Sequence, residues 1–220
     1  ERINGVASVS VSGGYENDYI TNHVLVTVAQ LQKLSIKNPF LDNKEGFINK
    51  AQRYLDVQFE NQFKNKQHAS FSEVIDYAFV KSYYKDTFAI SKDIQTKLTS
   101  RLEALKKEWV TLSLYQKAKL AIIAQRMGDV DWSKKIIHQL EESAVIDETY
   151  GMYWKENTSS NYDYYNAAEV QSLIVEAYKE IGMPQDKIQR LYAWLLGQKT
   201  QTDWGTTKAT TQALYAVLLG

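Results

Sequence analysis

The sequence predicts an all-α protein, and three observations carry that prediction. Two prolines and ten glycines in 220 residues are too few for a sheet protein that must turn at every strand end. Apolar residues recur at three- and four-residue intervals through most of the chain, the spacing that gathers them on one side of a helix. With 44% apolar content the chain can bury roughly three-quarters of its unfolded surface without metal or disulfide, so it reads as a single all-helical domain over residues 1–220.

The elements follow in order. A first helix is predicted over 17–34, with Ile20, Val24, Val28 and Leu31 on one face, until Asn38-Pro39 breaks the pattern. A second runs over 44–63 and carries Phe47, Ala51, Tyr54 and Leu55. The third opens at Ser70, where Ser70-Phe71-Ser72-Glu73 has the spacing in which hydroxyl and carboxylate each satisfy a free backbone N–H. Further helices are predicted over 91–109, 112–127, 131–143, 167–181, 184–198 and 206–219. Gly128 and Gly182 stand where helices should end, and Pro184 where one should begin.

Three segments share a pattern: TLSLYQKAKLAIIAQRMGD, NAAEVQSLIVEAYKEIG and TTKATTQALYAVLLG each have a polar start and then an apolar helix rich in small residues. They recur about 40 to 50 residues apart, in the range of helical-hairpin repeats. Between them lie more charged helices such as DWSKKIIHQLEES and PQDKIQRLYAWLLGQ. Apolar nearly all round against apolar on one stripe predicts an inner layer wrapped by an outer one. Leu173, Ile174, Leu214 and Val217 are therefore expected inside. In the joint between the last two helices, Trp204 is expected to pack between them and Gly205 to let their backbones approach. Residues 149–165, TYGMYWKENTSSNYDYY, are rich in aromatics and lack helical period, and a loop of that length in a compact domain is either functional or an error in the element assignment.

Composition removes several classes of activity. Lys plus Arg and Asp plus Glu balance at 26 each without a basic run, which excludes a nucleic-acid partner. The absence of cysteine excludes thiol catalysis, disulfides and Cys-ligated zinc from these residues. The apolar runs fall far short of the roughly 20 residues that span a bilayer, so no membrane contact is expected of this segment. ERINGVASVS has no signal-peptide core, so any targeting information is expected elsewhere. His23, His68 and His138 lie on or beside different predicted helices, and none has a second ligand three or four residues on, so neither a metal nor another cofactor is expected.

Alternating inner and outer helices with Gln198 and Trp204 at a junction resemble the α/α-toroid repeat of terpenoid cyclases, protein prenyltransferases and the thioester domains of complement and alpha-2-macroglobulin. The likeness is closest to the bacterial alpha-2-macroglobulin-like proteins. GGYENDYITNHVLVTVAQLQKL, GMYWKENTSSNYDYYNAAEVQSLIVEAY and WLLGQKTQTDWGTTKATTQALYAVLL look like successive landmarks of that family, in order and across nearly the whole chain. The resemblance implies a partial toroid of nine helices, the later two-thirds of a macroglobulin thioester domain. It implies no catalysis in this segment and a role as structural domain in a protease-trapping, endopeptidase-inhibiting protein. The implied partners are proteases, through the whole protein, and neighbouring macroglobulin β-sandwich domains. The implied location is extracytoplasmic, periplasmic or lipid-anchored through the parent. The family's Cys-x-Glu-Gln thioester is absent here and is expected upstream of Glu1 where a member has one. VASVSVS, before Gly13-Gly14, offers no histidine where complement relatives place one, and neither Ser8 nor Ser10 inherits that role.

Other chemistries of the fold fail on residues. Prenyltransferase zinc needs a cysteine, and the Asp-rich element of class II terpene cyclases has only Asp129-Val130-Asp131 as a counterpart, at a helix–helix turn. The alternative function is a carbohydrate-binding or carbohydrate-active toroid using 149–165. Glycosidases set paired carboxylates beside an aromatic cleft, and Glu156, Asp163 and Glu169 lie near Tyr153, Trp154, Tyr162, Tyr164 and Tyr165. Against that, the same aromatics can pack the loop onto the domain's end. Asn157-Thr158-Ser159 matches a glycosylation sequon, a pattern common by chance. Lys106-Lys107-Glu108 and Lys134-Lys135 read as solvated helix faces.

Overall fold

The computed structural model describes residues 2–3, 6–7, 10–11, 15–36, 44–66, 69–158, 166–199 and 203–219. Nine α-helices account for most of these residues, and the protein is all-α. The chain forms two compact units, 1–108 and 109–220.

In the first unit, two short antiparallel ladders, β1 (Arg2–Ile3) with β2 (Val6–Ala7) and β3 (Ser10–Val11) with β4 (Tyr15–Glu16), precede α1 (Asp18–Lys33). Asn17 caps α1 by accepting the Ile20 N–H at 3.0 Å. A single π turn, Lys44–Ile48, leads into α2 (Asn49–Lys66). The expected capping box starts α3 (Phe71–Tyr83): Glu73 N–H donates to Ser70 Oγ, and Ser70 N–H donates to Glu73 Oε2 at 2.8 Å. Next comes α4 (Lys92–Glu108). Helix α1 packs on α2 and α3. Its fully buried positions are Thr21, Leu25, Val26, Val28, Ala29 and Gln30, while Ile20, Val24 and Leu31 are only half-buried. The buried face is therefore centred on Leu25 and Val28 instead of Ile20 and Val24, because α1 packs on two helices at once. Tyrosine hydroxyls tie the unit together: Tyr84 donates to Leu25 O at 2.7 Å, Tyr77 to Asp56 at 2.7 Å and Tyr54 to Asp18 at 2.5 Å.

The second unit opens with the 3₁₀ turn Trp109–Thr111 and α5 (Leu114–Arg126), which begins in a capping box of Ser113 and Gln116. The Met127-Gly128-Asp129 turn, with Gly128 at φ +89°, folds α6 (Val130–Glu142) back along α5. There Ser133 Oγ–H donates to the Ala121 carbonyl at 2.8 Å. Next come β5 (Val145–Asp147), β6 (Gly151–Tyr153) and the 3₁₀ turn Lys155–Asn157. Helix α7 (Ala167–Ile181) is capped by Asn166 and closed by Gly182 at φ +75°. Helix α8 (Gln185–Gly197) follows Pro184, and α9 (Thr207–Leu218) is capped by Thr206, whose Oγ1 accepts the Ala209 N–H. The helices predicted from sequence are all present, with ends shifted by three residues at most, except that α2 starts five residues late, after the π turn over 44–48.

Helices α5, α7 and α9 lie side by side and parallel. Near their starts Glu169 of α7 pairs with Lys208 of α9 at 2.6 Å. Near their ends Arg126 of α5 pairs with Glu176 and Glu180 of α7, and Tyr215 of α9 donates to Glu176. Helix α7, in the middle, buries every residue from Ala168 to Tyr178, and α5 buries Leu114 to Ala124 except Gln116. The more charged α6 and α8 lie on the outside, α6 against α5, α8 against α7 and β6. Leu173 and Ile174 are buried as expected, but Leu214 is 49% exposed and Val217 is half-exposed. Helix α9 buries Ala209, Gln212, Ala213, Tyr215 and Ala216 instead, the side that packs on α7 and accepts the Tyr192 hydroxyl of α8 at the Ala216 carbonyl.

Residues 149–158, the described part of 149–165, hold more regular structure than their lack of period implies. Strands β5 and β6 form an antiparallel hairpin across 145–153, too short for any periodicity to show in the sequence. Asp147 Oδ1 accepts the Thr149 and Tyr150 N–H groups at 2.7 and 2.8 Å, and Gly151 completes the turn at φ +84°. The joint ahead of α9 is as expected: Trp204 is buried, donates Nε1–H to Leu195 O at 2.8 Å and accepts Asn166 Nδ2–H at its carbonyl at 3.1 Å. Gly205, at φ +93°, lies against a side chain instead of the neighbouring helix backbone expected: a Cβ there would sit 3.2 Å from Asn166 Nδ2. Among the described residues no helix is long and apolar enough to cross a membrane.

Candidate functional site

Of the residues singled out around 149–165, the structure describes Tyr153, Trp154, Glu156 and Glu169. Tyr153 ends β6, half-buried, with its ring stacked on Trp194 of α8 at a centroid distance of 6.1 Å. Trp154, one residue on, points the opposite way because successive strand side chains alternate. It is fully buried and donates Nε1–H to Leu140 O of α6 at 2.8 Å, so it is a packing residue. Glu156 is exposed on the 3₁₀ turn. Tyr162, Asp163, Tyr164 and Tyr165 lie outside the described residues. Asn157, the sequon asparagine, is buried and donates Nδ2–H to Ala167 O at 2.9 Å, so its amide is committed to holding the turn against the start of α7.

The third carboxylate, Glu169, is drawn to Lys208 instead of toward Glu156. Its Oε1 takes Lys208 Nζ at 2.6 Å as an ion pair, off the direction of an aligned hydrogen bond. The ammonium of Lys208 also lies 5.7 Å from the Tyr115 ring centre, and Lys119 covers the same ring at 4.3 Å. Lys117, on α5, is buried along its stem; desolvation lowers its pKa and Glu156 pulls the other way. The capped starts of α5, α7 and α9 thus carry a mixed set of lysines, a tyrosine and a carboxylate. Lysines at 117 and 119 inside YQKAKLAIIA are the sequence signal for it, and the reading of that helix as apolar nearly all round hid it.

Two buried ionic clusters were invisible before the fold was known. In the first unit Lys81 Nζ reaches Gln52 O at 3.1 Å, Gln52 Oε1 at 2.6 Å and Asp56 Oδ1 at 2.6 Å, and lies 4.5 Å from the Phe88 ring centre. All three of its donors are used. Burial nonetheless pushes its pKa down to about 8, against the pull of Asp56. Burial, then the Asp56 charge and hydrogen bond, hold the Tyr77 hydroxyl protonated well above the usual tyrosine range. In the second unit Arg126 grips Glu180 with Nε at 2.9 Å and Nη2 at 2.6 Å while Nη2 also reaches Glu176 at 2.7 Å.

Among the described residues no three His, Asp or Glu side chains gather as a metal site would require. His138 is exposed beside Glu142 at 3.8 Å, and His68 lies outside the described residues. The polar groups described above serve as caps, inter-helix ion pairs and hydrogen bonds to backbone carbonyls. No protein-family model matches the chain, and no curated protein sequence matches it.

Proposed function

We propose that this chain is the later part of the thioester-type domain of a bacterial alpha-2-macroglobulin-like protein, an α/α toroid that acts as a scaffold in a protease trap and has no catalysis of its own. The observation that carries the reading is the inner layer of 109–220: three parallel, side-chain-capped helices, the first two with an outer helix folded back over them, and Trp204 bonding the end of α8 to the start of α9. That alternation is what the family landmarks imply, and the landmark segments ending at Tyr178 and Leu219 fall on it. The spending of polar groups on structure, with Trp154 in the core, supports a scaffold over a sugar site built on that tryptophan. The trap itself belongs to the parent protein, outside the cytoplasm, with β-sandwich domains as neighbours.

The test is a protease titration. Added to serine and metalloproteases, the chain alone should change hydrolysis of neither a short peptide nor a large protein substrate. A longer polypeptide containing these residues should, once cleaved, leave peptide hydrolysis intact while protecting the large substrate. Stoichiometric block of peptide hydrolysis by the chain alone would contradict the proposal, as would equal loss of both activities with the longer form.

A further inference from the structure

We infer that Lys81 is a charge-operated latch: its ammonium holds the Phe88 ring, and loss of the Lys81 proton frees the loop 85–90 between α3 and α4. The inference concerns the first unit alone and stands apart from the family proposed above.

The loop is fixed at both ends and once in the middle. At its start Tyr84 is buried and donates its hydroxyl to Leu25 O of α1 at 2.7 Å. At its end Ser91 Oγ accepts the Ile94 N–H at 3.2 Å and caps α4. Between them the Thr87 and Phe88 N–H groups return to the Tyr84 carbonyl at 3.0 and 2.8 Å, a single turn. Lys85, Asp86, Thr87 and Ala89 are exposed, while Phe88 and Ile90 are half-buried. Phe88 closes the turn, and its ring centre lies 4.5 Å from Lys81 Nζ, in the last turn of α3.

The ammonium that meets this ring is held from the side of α2. Gln52 O, Gln52 Oε1 and Asp56 Oδ1 take its protons, and the Tyr77 ring centre lies 5.3 Å from it. Turning away from Phe88 would cost those bonds, so the ring faces a fixed cation. A cation partly removed from water attracts a ring face more strongly than an exposed one, and a neutral amine lacks that attraction. What remains to Phe88 after proton loss is the apolar contact of a half-buried side chain. Of the charged groups on the helices packed against α3, Asp56 acts on Lys81 and favours its proton; burial opposes it more strongly and places release near pH 8. Asp18 of α1 is taken by the Tyr54 hydroxyl and Asp93 of α4 by Lys97. Tyr77 and Tyr84 are held protonated through that range by burial. The histidine of α1, His23, is half-buried and is tested separately below.

The test is amide exchange of the full chain, read over 85–90 from pH 6.5 to 9.5 and corrected for the intrinsic pH dependence of exchange. Protection of the Thr87 and Phe88 amides should fall about fivefold across a transition centred near pH 8. Phe88→Leu keeps an apolar contact and removes the ring face, so it should show the lower protection already at pH 6.5 and no transition. Coupling is reciprocal, so the same variant should release the Lys81 proton about 0.7 pH unit lower, followed by nitrogen NMR at Nζ. His23→Gln should leave the transition where it is. Flat corrected protection in the unsubstituted chain would overturn the inference, as would a transition that persists in Phe88→Leu or that moves with His23→Gln.

Discussion

Gly151 shows what one backbone position contributes. With φ at +84°, it turns the β5–β6 hairpin, and a Cβ there would lie 2.2 Å from the Arg190 carbonyl of α8. Gly151→Ala therefore meets left-handed strain and a backbone clash together and should cost about 3 kcal/mol or more. All five tryptophans (109, 132, 154, 194 and 204) lie in 109–220, so urea unfolding followed by tryptophan fluorescence reads that unit. An unchanged midpoint would mean that the hairpin does not rest on α8. Gly151 and its turn could not be located from sequence, because a three-residue strand leaves no period, and nothing in GMYW tells which tryptophan-side neighbour is buried. The capping residues Ser70, Asn166 and Thr206, and Gly182 as a helix stop, were legible, because a cap is a local hydrogen bond written in adjacent residues.

At the scale of elements, helices were readable and their partners were not. The apolar run of α3 was plain, but the lysine at its heart became intelligible only with Gln52 and Asp56 of α2 against it. The exposed side of α9 was misjudged for the same reason: Leu214 looks like Ile174 in sequence, and only the neighbours decide which is covered. Lys81→Met strands Asp56 and should destabilise the protein by about 3–5 kcal/mol, while Lys81→Met with Asp56→Leu should recover much of that loss. The lowered pKa adds a pH signature. The unfolded chain holds the Lys81 proton to about pH 10.5, whereas the folded chain releases it near pH 8. Between those values the unfolded state binds more protons, so this group makes stability rise with pH. Tyr77 and Tyr84, held protonated by burial, oppose the rise once unfolded tyrosines ionise near pH 10, which leaves a window of about pH 8–10. The urea midpoint by far-UV circular dichroism should climb from pH 7.5 to 9.5 relative to that of Lys81→Met. Parallel profiles would show that Lys81 titrates normally.

For the whole molecule, the account depends on direction. Inner helices that start at one level and run the same way, the first two each followed by an outer helix folded back on it, are what the scaffold proposal requires. The repeated polar start followed by a small-residue helix was visible in the sequence, and it gave the layers; the parallel register came from Glu169–Lys208 and Arg126–Glu176, pairs 39 and 50 residues apart that no local pattern announces. Zero-length carbodiimide cross-linking of the chain at low concentration, mapped by mass spectrometry, reads that register directly. Lys208 should be joined to Glu169, at the starts of α9 and α7; a link from Lys208 to Glu176 or Glu180 would place α9 antiparallel to α7 and contradict the inner layer.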